Sequence, residues 1–202
     1  MSPVVRFLRN KDFRYTWRTV DGVLEIGVSD YLEDAPADVL RDFIRFVEAC
    51  AAGSREGPPP SVSGYIGSPG FIASKRPVFI SRSRNLTRTD TGEYRNIPDS
   101  LSRLADAGLI DPSDTGDSYF SWTRRDNRRR MGFCSRMFRV VGISSRLDSP
   151  DVPEWVLDYV VYHEVLHLRQ GYGCPVSHDG TFRQWEHSYP LWREAEAFLS
   201  SL

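Results

Sequence analysis

The sequence predicts an α+β fold, and three observations carry that expectation. The first thirty residues alternate apolar and polar side chains around an Asp21-Gly22 turn, the pattern of paired strands. A second pair of β-like runs lies at residues 119–122 and 133–142. The remaining apolar residues follow helical periods, and the longest of these, residues 155–170, is apolar nearly all round. Short strands and helices of this kind combine into a small sheet covered by helices.

Taken in order, Val4 to Leu8, Phe13 to Arg18 and Val23 to Val28 are expected as strands. Asp34-Ala35-Pro36 then opens a helix to about Ala52, with Val39, Leu40, Phe43, Ile44, Phe46 and Val47 as its apolar stripe and Gly53 as its stop. That stripe is expected to pack on the 155–170 helix. Ser54 to Gly64, with Pro58-Pro59-Pro60, reads as a loop, and Val78-Phe79-Ile80 as a strand within the poorly patterned 65–96 stretch. Ile97 to about Ala107 is a short helix ended by Gly108. Tyr119 to Trp122 and Phe133 to Gly142 are expected as two strands around a turn at Asp126-Asn127. After the 155–170 helix come a short helix, Gly180 to Glu186, and a last one from Leu191 to about Leu199. The organisation expected is a single domain over 1–202: strands and a packing helix in 1–52, an insertion in 53–117, and a hairpin with the metal-site helices in 118–202.

The 155–170 helix carries the chemistry. Nine of its sixteen side chains are Val, Leu or Tyr, which marks it as buried, yet it holds His163, Glu164 and His167. A buried carboxylate without compensation costs several kcal/mol or gives up its charge. The spacing supplies the compensation: His163 and His167, four apart, project from neighbouring turns of one face and can both reach one zinc ion. Glu164 then leans over the open side of the metal, where it can take a proton from metal-bound water without ligating. This is the H-E-x-x-H pattern of zinc-dependent peptidases, with Glu164 the catalytic base and Zn2+ the cofactor.

A third ligand must come from downstream. Gly171, Gly173 and Pro175 end the helix and let the chain reverse, bringing His178 back beneath the helical pair, with Ser177 or Asp179 as cap of the next helix. His178 is the preferred ligand. Glu186, nineteen residues after His167, competes, and Cys174 and His187 follow; the metzincin spacing fails, because its Gly and His positions hold Gln170 and Gly173.

The run Trp155 to Leu168, followed by Ser177-His178-Asp179-Gly180-Thr181-Phe182, resembles the SprT-like and YgjP-like zinc metallopeptidases. Upstream, Ser121 to Gly132 is similar to their "W..r..r..G" hairpin, and Ile143 to Leu147 to the strand end before their active helix. The resemblance covers about residues 118–199. It departs from the group in a long Gly171–Ser177 loop and in Asp179 after the third histidine. It implies a zincin-like, minigluzincin-type core with a small, mainly antiparallel twisted sheet. It also implies metal-ligand roles for His163, His167 and His178 and a general-base role for Glu164.

Composition bounds the alternatives. A hydrophobic fraction of 40% supports a packed core rather than disorder. No apolar run reaches membrane-span length or makes a signal peptide, and three cysteines fit reduced thiols, so a cytoplasmic protein is expected. Charge is uneven: residues 118–146 carry eight arginines against Asp126, and residues 147–202 nine acids against three arginines. Arg124, Arg125, Arg128, Arg129 and Arg130 could dock nucleic acid, against the plainer reading of a solvated hairpin tip. Three functions are therefore expected candidates: a peptidase acting on peptide or protein substrates, a peptidase directed to DNA-bound proteins, and a non-catalytic zinc-stabilised module. An edge strand over 138–144 would hold the substrate, and Tyr189, His187 or an arginine of 128–130 would face the oxyanion.

Overall fold

The Asp21-Gly22 pair turns the chain as its chemistry allows. Both residues take the left-handed conformation, at φ 51° and 76°, and close a two-residue hairpin between Val20 and Val23. In the computed structural model, which describes residues 2–125, 130–172, 178 and 180–202, the chain forms two units, Met1–Arg82 and Ser83–Leu202. The 53–117 stretch, expected as one insertion, is thereby divided between them.

In the first unit, β1 (Val4–Leu8), β2 (Tyr15–Val20) and β3 (Val23–Ser29) form a sheet in the order β1-β3-β2. Helix α1 (Ala37–Ala51) buries Val39, Phe43 and Val47, and Phe43 packs edge-on to Tyr15 of β2 at 5.6 Å between ring centres. Its apolar stripe, expected against the 155–170 helix, is thus covered by strands of its own unit.

Two expectations fail here. Within the expected 54–64 loop, Pro60 starts helix α2 (Pro60–Ile66), because proline suits a first helical position and Val62 and Ile66 bury one turn apart. The expected strand at 78–80 belongs to helix α3 (Pro69–Arg82), capped by the Ser68 hydroxyl, which accepts from the Phe71 amide. Phe71, Ile72 and Phe79 form its buried side; Pro77 inside the helix breaks up the sequence pattern. Arg82 closes the unit with two bonds to Asp30, at 2.7 and 2.6 Å.

The second unit repeats the strand arrangement. Its strands β4 (Tyr119–Trp122), β5 (Gly132–Ser135) and β6 (Val140–Ile143) have the order β4-β6-β5. In both sheets the last two strands make an antiparallel hairpin and the first adds in parallel to the far side of the third. The sheets are therefore mixed, not mainly antiparallel as expected. The expected hairpin of 119–122 with 133–142 is also corrected: β4 and β5 never pair, and 133–142 is itself the hairpin. Its turn holds no glycine or proline to announce it; Arg139 takes φ 50° while Met137 and Phe138 are buried. The expected turn at Asp126-Asn127 lies outside the described residues.

Around this sheet stand α4 (Ile97–Asp106), α5 (Pro112–Thr115), α6 (Glu154–Gln170), α7 (Gly180–Glu186) and α8 (Trp192–Ser201). Helix α6 is the centre: twelve of its seventeen residues are buried, which explains an apolar surface with no polar side. It packs on α4, α5, α7, α8 and strands β5 and β6. Buried Asp158 is met by Ser100 at 2.6 Å and by two Arg103 bonds of 2.8 Å. Near the C-terminal end Arg169 pairs with Asp114 at 3.0 and 2.6 Å, and Gly171 stops the helix at φ 72°. Among the described residues no helix is long and apolar enough to cross a membrane.

Candidate metal centre

Helix α6 places His163 and His167 one turn apart, with ring centres 5.0 Å from each other. His178, just before α7, brings its ring to 5.2 and 5.1 Å from those two. One ligand atom from each of the three lies within 4.8 Å of the others, and the Nε2 atoms of His167 and His178 are 3.3 Å apart. Fully buried Phe182 touches all three rings, at 5.2, 4.7 and 4.7 Å between centres, and so packs the set from behind. Helix α7, which carries Phe182, is tied to α6 by the Tyr162 hydroxyl donating to the Trp185 carbonyl at 2.6 Å.

Hydrogen bonding orients the nitrogens. His163 Nδ1 is 2.6 Å from Glu186 Oε1; a carboxylate only accepts, so Nδ1 carries a proton, and in the neutral ring Nε2 is then the nitrogen with a lone pair to offer. His167 Nδ1 faces Gln170 Oε1 at 3.4 Å, again leaving Nε2 as the acceptor. Burial, with His163 and His178 nearby, pushes His167 down to about 4, so it is neutral and able to ligate at physiological pH. His163 is pulled down by burial, but its bond to Glu186 and the other acids outweigh this and hold it above the usual imidazole range. Three imidazole nitrogens are a donor set that zinc accepts. In a tetrahedral site with Zn–N of about 2.0–2.1 Å, two nitrogens stand roughly 3.3–3.4 Å apart, which matches the His167–His178 separation.

Glu164 stands beside this set rather than in it. It is 5% exposed, and burial pushes its carboxyl up to about 7 against the opposing pull of His163 and Arg130. Strand β5 lies directly on it: a Cβ at Gly132 would sit 2.5 Å from Glu164 Oε1. The three histidines, Glu164 and the Arg130-Met131-Gly132 segment line one cleft of ≈ 640 Å³, with Val160 and Leu199 as apolar wall.

All four expected site residues are therefore brought together. Glu186, weighed as a ligand, lies behind His163 instead. His187 stacks on Trp192 at 3.9 Å and does not line the cleft; Cys174 lies outside the described residues. Of the oxyanion candidates, Tyr189 spends its hydroxyl on the Trp155 carbonyl, whereas Arg130 lines the cleft. Arg124 and Arg125 are exposed at the end of β4, the former donating to the Leu86 carbonyl; Arg128 and Arg129 lie outside the described residues. Sequence reasoning missed Tyr159, whose hydroxyl reaches Glu186 at 3.2 Å and Glu196 at 3.3 Å. Its position four residues before His163, on the same helical face, was the available signal. No family model, no curated protein and no solved structure matches the chain.

Proposed function

We propose that this chain is a zinc-dependent peptidase, similar to the SprT-like and YgjP-like enzymes, with a zincin-like core in its second unit. The observation that carries the reading is the convergence of three imidazoles beside a buried carboxylate that is not one of the converging groups. A purely structural site has no use for that acid.

His163, His167 and His178 would hold the metal. A zinc ion held there would supply Lewis acidity, making a water more acidic and a peptide carbonyl more electrophilic. Glu164 accepts the proton that the attacking water loses and returns it to the amine nitrogen as the C–N bond breaks. A proton affinity near neutrality suits both halves of that transfer. An extended substrate pairs with β5, not with the 138–144 segment expected: β6 is bonded on both sides, while β5 is the edge strand beside the cleft. Arg130 is the candidate donor to the oxyanion.

Glu164→Gln tests the reading, with zinc content measured alongside. Loss of proteolysis by roughly 10²–10⁴-fold at unchanged zinc is expected; proteolysis that survives in the zinc-loaded variant refutes it. A narrower reading directs the peptidase to DNA-bound proteins, supported by exposed Arg124 and Arg125. It requires DNA binding that falls steeply with salt and weakens when Arg124, Arg125 and Arg130 become alanine; absence of binding at low salt removes it.

A further inference from the structure

Glu186 has a carboxylate that is mostly enclosed, with a side chain 12% exposed. Its Oε1 lies 2.6 Å from His163 Nδ1 and accepts the Tyr159 hydroxyl at 3.2 Å. Two constraints meet in it. The carboxylate holds a proton on His163 Nδ1 and restrains the ring about its Cβ–Cγ bond, which leaves Nε2 as the nitrogen available to a metal. Tyr159, one turn before His163 on α6, in turn holds the carboxylate against that helix. Among the described residues, His167 Nδ1 has instead an amide oxygen, Gln170 Oε1, at 3.4 Å.

We propose that Glu186 is the positioning residue of the centre: it sets the orientation and basicity of His163 without touching the metal, and Tyr159 fixes Glu186 in place. The proposal rests on the metal-site reading above. It also gives α7 a function, because the helix that ends in Glu186 follows directly on His178. One short segment therefore delivers a ligand at its start and the orienting group for a second ligand at its end.

The test measures Zn2+ affinity by competition with a chromophoric chelator, for the full chain and for Glu186→Ala, Glu186→Gln and Tyr159→Phe. Glu194→Gln, on the exposed face of α8, controls for loss of a negative charge. Glu186→Ala is expected to weaken zinc roughly 10–100-fold, with Tyr159→Phe and Glu186→Gln losing less in the same direction and the control unchanged. The Co2+ absorption spectrum of metal-saturated Glu186→Ala should keep the wild-type ligand field.

Affinity within about twofold of wild type in Glu186→Ala overturns the proposal. So does a Co2+ spectrum showing a lost oxygen donor, which would make Glu186 a ligand. If Glu186→Ala does not fold, Tyr159→Phe and Glu186→Gln decide the matter, and wild-type affinity in both overturns it. A wild-type chain that folds and binds no zinc removes the metal reading, and this inference with it.

Discussion

Gly132→Ala places one methyl group against Glu164, the proposed base. Gly132 is absent from the left-handed glycines, so its backbone tolerates alanine and the effect is purely steric. The added Cβ would lie 2.5 Å from Glu164 Oε1, 2.8 Å from Cγ and 3.0 Å from Cδ, about 1 Å short of ordinary contact at the oxygen. Two responses are open. If β5 moves, its pairing with β6 is strained, at a cost of about 1–3 kcal/mol. If the side chain moves, the cost in stability is smaller, but the carboxylate leaves its position by roughly 1 Å, enough to lower a catalysed rate about 10²-fold. A side-chain end yields more easily than a paired strand, so the second response should dominate. The assay combines zinc content, the midpoint of denaturant unfolding and the rate of hydrolysis of unfolded casein. The expected result is bound zinc, a midpoint close to wild type and a rate down by about two orders of magnitude. Zinc-loaded Gly132→Ala with the wild-type rate would show that the Glu164 position beside β5 does not matter, and the placement of the base would fall.

Zinc at about 1,000 times its dissociation constant should stabilise the folded chain by about 4 kcal/mol, read as a rise in Tm. His178→Ala should lose most of that rise and His187→Ala, whose ring stacks on Trp192, should keep it. The metal-free protein should show a pH-dependent stability difference from Glu164→Gln. The Glu164 pKa is raised from 4.5 to about 7, so its contribution is fully present below pH 4.5 and is lost as pH rises through 7. The loss should amount to roughly 3 kcal/mol, and comparing the two proteins isolates it from the opposite trend of His167, which is lowered to about 4. Asp158→Ala, which removes the partner of Ser100 and leaves Arg103 only Glu154 at 3.9 Å, should cost about 3 kcal/mol in chemical denaturation. That lies at the low end for a broken buried pair because the Arg103 side chain is 37% exposed.

The parts of the fold that were legible in the sequence have local causes. Asp21-Gly22 accepts left-handed φ at both turn positions, Ile97-Pro98 and Gly108 bound α4, and an apolar surface on every side of α6 admits only burial. What was not legible depends on partners or on masked periodicity. The parallel additions of β1 and β4 are tertiary choices that alternation within a strand cannot reveal. The 136–139 turn is hidden because Met137 and Phe138 are buried like strand residues. In α3, capped by Ser68, Pro77 interrupts the helical pattern. At the centre, the i, i+4 spacing of His163 and His167 and the helix-ending Gly171 were enough to expect the three imidazoles together. The same spacing argument left Glu186 as a possible ligand, since whether an acid reaches a metal or the back of its ligand depends on a rotation of α7.

The two acids nearest the histidines divide according to their surroundings. Glu164 is pushed up to about 7 by burial, with His163 and Arg130 only partly offsetting it. Glu186 is also raised by burial, yet donation from His163 and Tyr159 more than reverses this, so it remains a fixed anion. Two carboxyl groups of one cleft whose pKa values are driven apart mark a proton carrier and a charge that stays. A zinc site that served only to hold the chain together would need the second and would be burdened by the first, because a buried acid without a task is a standing cost. Glu164 lies against β5 where Gly132 leaves room for it, and this placement is what Glu164→Gln and Gly132→Ala both probe.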